Sequence, residues 1–200
     1  MRRIDQVFEL LPPDLDEIPT DEQVTDAVIY IQASIFNIFG CMDNAAWIWV
    51  YEKGITRDNG KPLPSSWVGI RGTNKIIRDT FSPDFRSFLE GLDSWFDLLE
   101  NYRHALAHRI PLYIPPYIVD PKDMPEHQRL DQSIVQARLQ NLENEVDRLT
   151  TEQNKLTRFD PIMTHSFEEN SKQVIFHPQL LANFNTLHEF GHKFLDELDR

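Results

Sequence analysis

Between Thr20 and Trp49 the chain repeats apolar residues at helical spacing, and that stripe constrains the fold more than any other feature. Val24, Val28, Ile31, Ile35, Ile38 and Met42 share one side of a 3.6-residue repeat, and the pattern runs on to Trp49 or Tyr51. Thr20 and Gln23 have capping-box spacing, and Asp21 and Glu22 place negative charge in the first turn, where amides lack partners. Gly40 lies inside the segment, as a site of close packing or of a bend. A face this long must be covered by other apolar helix faces. Three more segments offer them. A second helix starts at Ser82-Pro83, with serine as cap and proline in the first turn, and runs to about His108 or Arg109, where Ile110-Pro111 stops it. A polar helix over residues 125–156 carries a thin stripe of Leu130, Ile134, Ala137, Leu142, Val146 and Leu149. The last helix, residues 178–198, turns Leu180, Phe184, Leu187, Phe194 and Leu198 inward. Four amphipathic helices with little strand signal predict an all-α bundle.

The connections read as long loops. Residues 54–75 hold Gly54, Asn59-Gly60, Pro62, Pro64, Gly69 and Gly72, with Trp67, Val68 and Ile70 pinning them to the core. These glycines follow no strand and lack the Gly-Lys-Ser/Thr ending of a phosphate loop, so they imply no nucleotide site. The apolar stretch from Leu112 to Val119 is broken by Pro115 and Pro116 and reads as a buried extended connector. Residues 159–177 leave room for a small β-hairpin, with Val174-Ile175-Phe176 as its better strand. Residues 1–19, with Leu10-Leu11-Pro12-Pro13, read as an N-terminal docking arm, and residues 20–200 as one helical domain.

Thirteen Phe, five Tyr and four Trp in 200 residues supply enough apolar volume to argue against disorder over most of the chain. No run matches the 18 or so apolar residues of a membrane span, and no signal-peptide pattern opens the sequence, so no membrane partner is expected. Cys41, the single cysteine, excludes an internal disulfide framework and fits a reducing cytoplasm, and its apolar neighbours Phe39, Met42 and Ala45 predict a buried thiol. A net charge of −12 argues against a protein that coats nucleic acid, because backbone binding needs compensating Lys and Arg. Arg103-His104-Ala105-Leu106-Ala107-His108-Arg109 is a local exception, with two arginines, two histidines and no acid.

Arg103 is conspicuous by position. With Phe85 at 0° and about 100° per residue, Leu89, Leu92 and Phe96 lie within about 40°, and Arg103 returns to 0°. A guanidinium there must be paired, reach solvent or face a cleft. An arginine fork can neutralise a phosphate and a histidine can exchange a proton near neutral pH, functions that suit phosphodiester cleavage. With the RNA 2′-hydroxyl as nucleophile, no metal is required. Arg103 and His108 are about 140° apart on an ideal helix, so a bend or a second subunit must bring them together. The alternative is structural: Arg103 pairs with an internal acid, and the histidines cap helix carbonyls.

The same residues resemble the R-polar-xxx-H motif of the HEPN superfamily, and Leu98-Leu99-Glu100-Asn101-Tyr102-Arg103 with the following Ile110-to-Tyr117 segment is similar to an uncharacterised bacterial HEPN-like family. The resemblance covers roughly residues 20–198. It implies an antiparallel helical bundle that cuts RNA as a homodimer in toxin or defence systems, with Arg103 and His108 catalytic and His104 as the polar partner. Histidine at that second position departs from the frequent asparagine. Related domains also serve as noncatalytic or antitoxin-associated modules, which implies a protein partner instead of a substrate. Neither role calls for a cofactor or bound metal.

His188-Glu189-Phe190-Gly191-His192 has the HExxH spacing of a metallopeptidase helix, with His188 and His192 as ligands and Glu189 as base. Only eight residues follow His192, and no edge strand precedes it, so decoration of a packing helix is the expected role, with His165 or His177 as the upstream ligands a zinc site would need. His177-Pro178 reads as the entry to the last helix, and Trp67, Tyr113 and Tyr117 as core aromatics before base-stacking ones. Asp93, Asp97 and Glu100 are the acids placed to buffer Arg103.

Overall fold

Thr20 caps the central helix as its sequence dictates. Its hydroxyl accepts from the Gln23 amide at 3.2 Å and the Gln23 side chain accepts from the Thr20 amide at 2.9 Å. From this cap α2 (Asp21–Glu52) runs unbroken through Gly40, where an added Cβ would meet nothing within 4 Å. The glycine therefore serves no close packing. The computed structural model describes residues 2–108, 111–165 and 173–200, without the side chain of His108.

Around α2 the other elements are α1 (Arg2–Leu10), α3 (Lys75–Arg78), α4 (Pro83–Gly91), α5 (Asp93–His108), α6 (Met124–Leu139), α7 (Glu143–Asn154) and α8 (Phe176–Leu198). Two small antiparallel ribbons complete them: β1 (Ile118–Val119) with β2 (Thr157–Arg158), and β3 (Ile162–Met163) with β4 (Val174–Ile175). The second ribbon is the expected hairpin, with Phe176 already in α8. The first shows that the proline-interrupted connector ends in a strand. The protein is an all-α bundle with long loops and minor β structure.

The two ends of α2 organise two apolar cores. Its first half packs Val24, Ala27, Ile31 and Ile35 against Val7 and Leu11, Tyr102 of α5, Leu112 and Ile114 of the connector, and Phe176 and Leu180 of α8. Its second half packs Met42, Ala46 and Trp49 against Ile70, Ile77, Phe81, Phe85, Phe96, Phe190 and Phe194. Ile38, Phe39 and Leu99 join the two. The order of these contacts makes α5 antiparallel to both α2 and α8. Toward the N-terminus, α1 and the fully buried Leu11 close the first core.

Polar pins fix the packing. Trp95 Nε1 donates to Asn183 Oδ1 at 2.9 Å between α5 and α8, and Gln32 Nε2 donates to the Leu112 carbonyl at 2.8 Å. Ser82 caps α4 and is itself held by the buried Glu197, which accepts from its amide at 2.6 Å and its hydroxyl at 2.7 Å. At the end of α3, the Arg78 guanidinium is buried on Asp93 at 2.6 Å. An added Cβ on Gly72 would stand 3.1 Å from that guanidinium, a tight contact that the arginine would have to yield to.

Several expectations need correction. The helix beginning at Pro83 is two helices separated at Leu92. The polar helix is a helical hairpin, α6 and α7, reversed at residues 140–142 with Asn141 at φ 57°, a left-handed position that asparagine tolerates better than most residues. Leu142 is consequently exposed in the turn. Cys41 is exposed, because the α2 surface that carries it faces away from the core. Trp67 and Tyr117 are each more than 40% exposed and do not pin the core, while Ile70 does. By length and composition alone α2 also passes as a membrane span, with a mean hydropathy of 1.4 in an 18-residue window, a test that core helices pass too. Gln32 and Asn37 break any apolar run, yet alanines and the exposed Ile29, Phe36 and Ile48 raise the average.

Candidate functional site on helix α5

Helix α5 buries Phe96, Leu99, Tyr102 and Ala105, one residue every three, against α2 and α8. Arg103 follows Tyr102 and therefore lies on the shoulder of that stripe, half-buried. The phase carried forward from Phe85 is lost at the Leu92 break, which is why the sequence put Arg103 at the centre of the stripe. Side chains on a helix lean toward its N-terminus, and in antiparallel packing this carries the guanidinium back over α2. Its Cζ sits 5.1 Å from the centre of the Phe39 ring. Such a contact contributes on the order of 0.5–1 kcal/mol near the surface. No carboxylate among the described residues lies within ion-pair distance of Arg103.

The nearby acid is engaged elsewhere. Glu100, one turn before His104, forms an ion pair with Arg71 of the 54–75 loop, and His104 Nε2 stands 3.8 Å from the same carboxylate oxygen. Asp93 is taken by Arg78. Arg71 also lines, with Phe39, Asp43, Phe96 and Leu99, a crevice of about 20 Å³, enough for one water and too small for a nucleobase. A substrate here would lie across the surface. Beside it, Tyr102 is fully buried with no hydrogen-bond partner for its hydroxyl among the described residues, and burial raises its pKa to about 12. Tyr102 is a packing residue.

Arg71 is the member the sequence did not reveal. It stands 29 residues from Glu100, in a loop where the Asn74 side chain packs on Gly69 so closely that an added Cβ would lie 2.6 Å from its Oδ1. Gly69-Ile70-Arg71-Gly72, an arginine between glycines, was the available signal. The backbone of α5 is helical from Arg103 through His108, so those two positions remain about 140° apart and no bend between them brings them to one face. The side chain of His108, and Arg109 and Ile110, lie outside the described residues. Within one chain the structure brings His104, Glu100 and Arg71 together, with Arg103 adjacent on Phe39.

The HExxH pair lies on a different face, on α8. His188 and His192 are exposed, with their Nε2 atoms 3.3 Å apart, whereas Glu189 extends toward Lys193 at 3.9 Å. The suggested upstream ligands are elsewhere: His177 is buried on the Leu11 carbonyl at 2.6 Å, and His165 is buried beside β3. Among the described residues no three His, Cys, Asp or Glu side chains gather as a metal site. Comparison with protein-family models, curated proteins and solved structures returned no match for the chain.

Proposed function

We propose that this protein is a metal-independent RNA endonuclease of the HEPN type, in which Arg103 neutralises phosphate charge, His108 is general acid and base, and His104 is the polar partner. The observation that carries the reading is the Arg103 guanidinium, half-buried on the Phe39 ring without a carboxylate partner among the described residues. A structural arginine at that depth would be expected to hold an acid, and two acids of its own helix, Asp93 and Glu100, are bound to other cations. A guanidinium over an aromatic face, with no carboxylate partner among the described residues, suits a phosphodiester. Attack by the RNA 2′-hydroxyl on the adjacent phosphorus expels the 5′-oxygen. His108 takes the hydroxyl proton and protonates the leaving oxygen, and Arg103 stabilises the charge on the phosphoryl oxygens. Because the two positions diverge on α5, the reaction uses Arg103 of one copy and His108 of a second in a shared cleft.

Purified protein incubated with total RNA in excess chelator should produce fragments with 2′,3′-cyclic phosphate ends. Arg103→Ala and His108→Ala should each lower the rate by about 10²-fold or more with unchanged helical circular dichroism. Undiminished cleavage by both variants sinks this mechanism. The second reading, a noncatalytic helical module of the antitoxin-associated kind, is favoured by Glu100, which neutralises Arg71 and faces His104 in a chain of net charge −12. It predicts no RNA cleavage in the wild-type protein and capture of a protein partner that Arg103→Ala weakens.

A further inference from the structure

We infer that His188 and His192 form a two-nitrogen chelating site for one divalent cation of the zinc class. The inference starts from their separation. Two imidazole nitrogens bound to one metal at about 2.0–2.1 Å with a tetrahedral angle stand roughly 3.3 Å apart. The two Nε2 atoms already stand 3.3 Å apart, with the rings edge to face at 4.5 Å between centroids. An i,i+4 pair on a helix starts on one face, but exposed side chains are free to diverge, so convergence of both ring nitrogens is an additional property.

The His188 ring is also flanked. Phe184, one turn before His188, lies nearly parallel to its imidazole, with centroids 6.2 Å apart and planes at 22°. Behind the pair runs a groove of about 670 Å³ between α2 and α8, walled by Cys41, Asn44 and Ile48 on one side and Leu187 and Leu195 on the other. No lysine or arginine lines it to repel a cation, and no carboxylate lines it to favour magnesium or calcium. In the metal-free state one Nε2–H bonds to the other Nε2. Binding moves that hydrogen to Nδ1, so that both Nε2 lone pairs meet the cation. With two protein ligands, the remaining coordination positions are open to water or to a small anionic ligand.

The geometry favours binding over hydrolysis. Glu189, the base of the metallopeptidase pattern, is directed to Lys193 and is 60% exposed, not poised over the pair. Calorimetric titration of the full-length chain with zinc chloride should give one strong site per chain in the micromolar range, with no comparable uptake of magnesium. His188→Gln and His192→Gln should each weaken it about tenfold or more, and the double variant should abolish it. Glu189→Gln should leave affinity unchanged. Equal zinc affinity in the wild type and the double variant overturns the site. A large loss in Glu189→Gln overturns the assignment of ligands. Nickel or copper competition read by histidine proton resonances provides a second readout independent of folding: only the His188 and His192 signals should shift or broaden at one equivalent, and unchanged signals count against the proposal.

Discussion

His177 enters the first core at the start of α8, where burial acts directly on a titratable ring. Its Nε2 faces the Leu11 carbonyl at 2.6 Å, and since a carbonyl only accepts, that nitrogen carries the hydrogen. Phe8 and Phe176 pack on the ring at 4.7 and 4.2 Å between centroids. Burial disfavours the cation and lowers the pKa below the ordinary 6.5, with the carbonyl bond offsetting part of the shift. The sign follows from proton counting. Between the lowered folded value and 6.5 the unfolded chain binds more protons, so stability is full above 6.5 and falls as pH drops toward the folded value. His177→Gln keeps an N–H for Leu11 and removes the titration. Urea midpoints between pH 7.5 and pH 5 should therefore drop less in the variant than in the wild type, and equal drops would refute the assignment. From sequence His177 was the helix entry before Pro178 or an upstream zinc ligand, and its contact with Leu11 was not readable because that partner stands 166 residues away.

Elements were legible where their cause is local. The Thr20–Gln23 box and the Ser82-Pro83 cap are side-chain chemistry within four residues, and both form as read. The Leu92 break was not legible, since the apolar spacing of Phe85, Leu89, Leu92 and Phe96 continues across it. The same break moved Arg103 from the centre to the shoulder of its stripe, so the site's composition was readable and its depth was not. Gly40 illustrates a residue whose sequence context left two roles open and whose surroundings support only the cost. It sits in an unbroken helix with no atom within 4 Å of an added Cβ. Gly40→Ala should stabilise the protein by about 0.5–1 kcal/mol through backbone entropy and helix propensity, read as a higher urea midpoint at constant slope. A fall in midpoint would mean that the Gly40 surface is covered in the folded protein.

At the scale of the molecule the α6–α7 hairpin stands apart from the bundle. Leu130, Ile134, Ala137 and Leu149 form a small core with Val146 and Leu156, and these residues belong to neither of the two cores built on α2. Its outer surface is held by exposed ion pairs such as Arg148 with Glu145 and Glu152, each of little net stability. The two chains that lead to it are already paired: Val119 is opposite Thr157 and Ile118 opposite Arg158. Two residues of type Asn-Gly suffice to close an antiparallel pair of this kind. Replacing residues 120–156 by Asn-Gly should therefore remove the 16-residue α6 and the 12-residue α7 while leaving both α2 cores assembled. The shortened protein should unfold in a single cooperative transition, with helical circular dichroism lowered in proportion and the denaturant slope reduced by the lost surface. Because the α5 surface and the His188–His192 face lie on elements that remain, zinc uptake by the shortened chain should match that of the full chain. A non-cooperative transition would show instead that the hairpin is part of the folding unit.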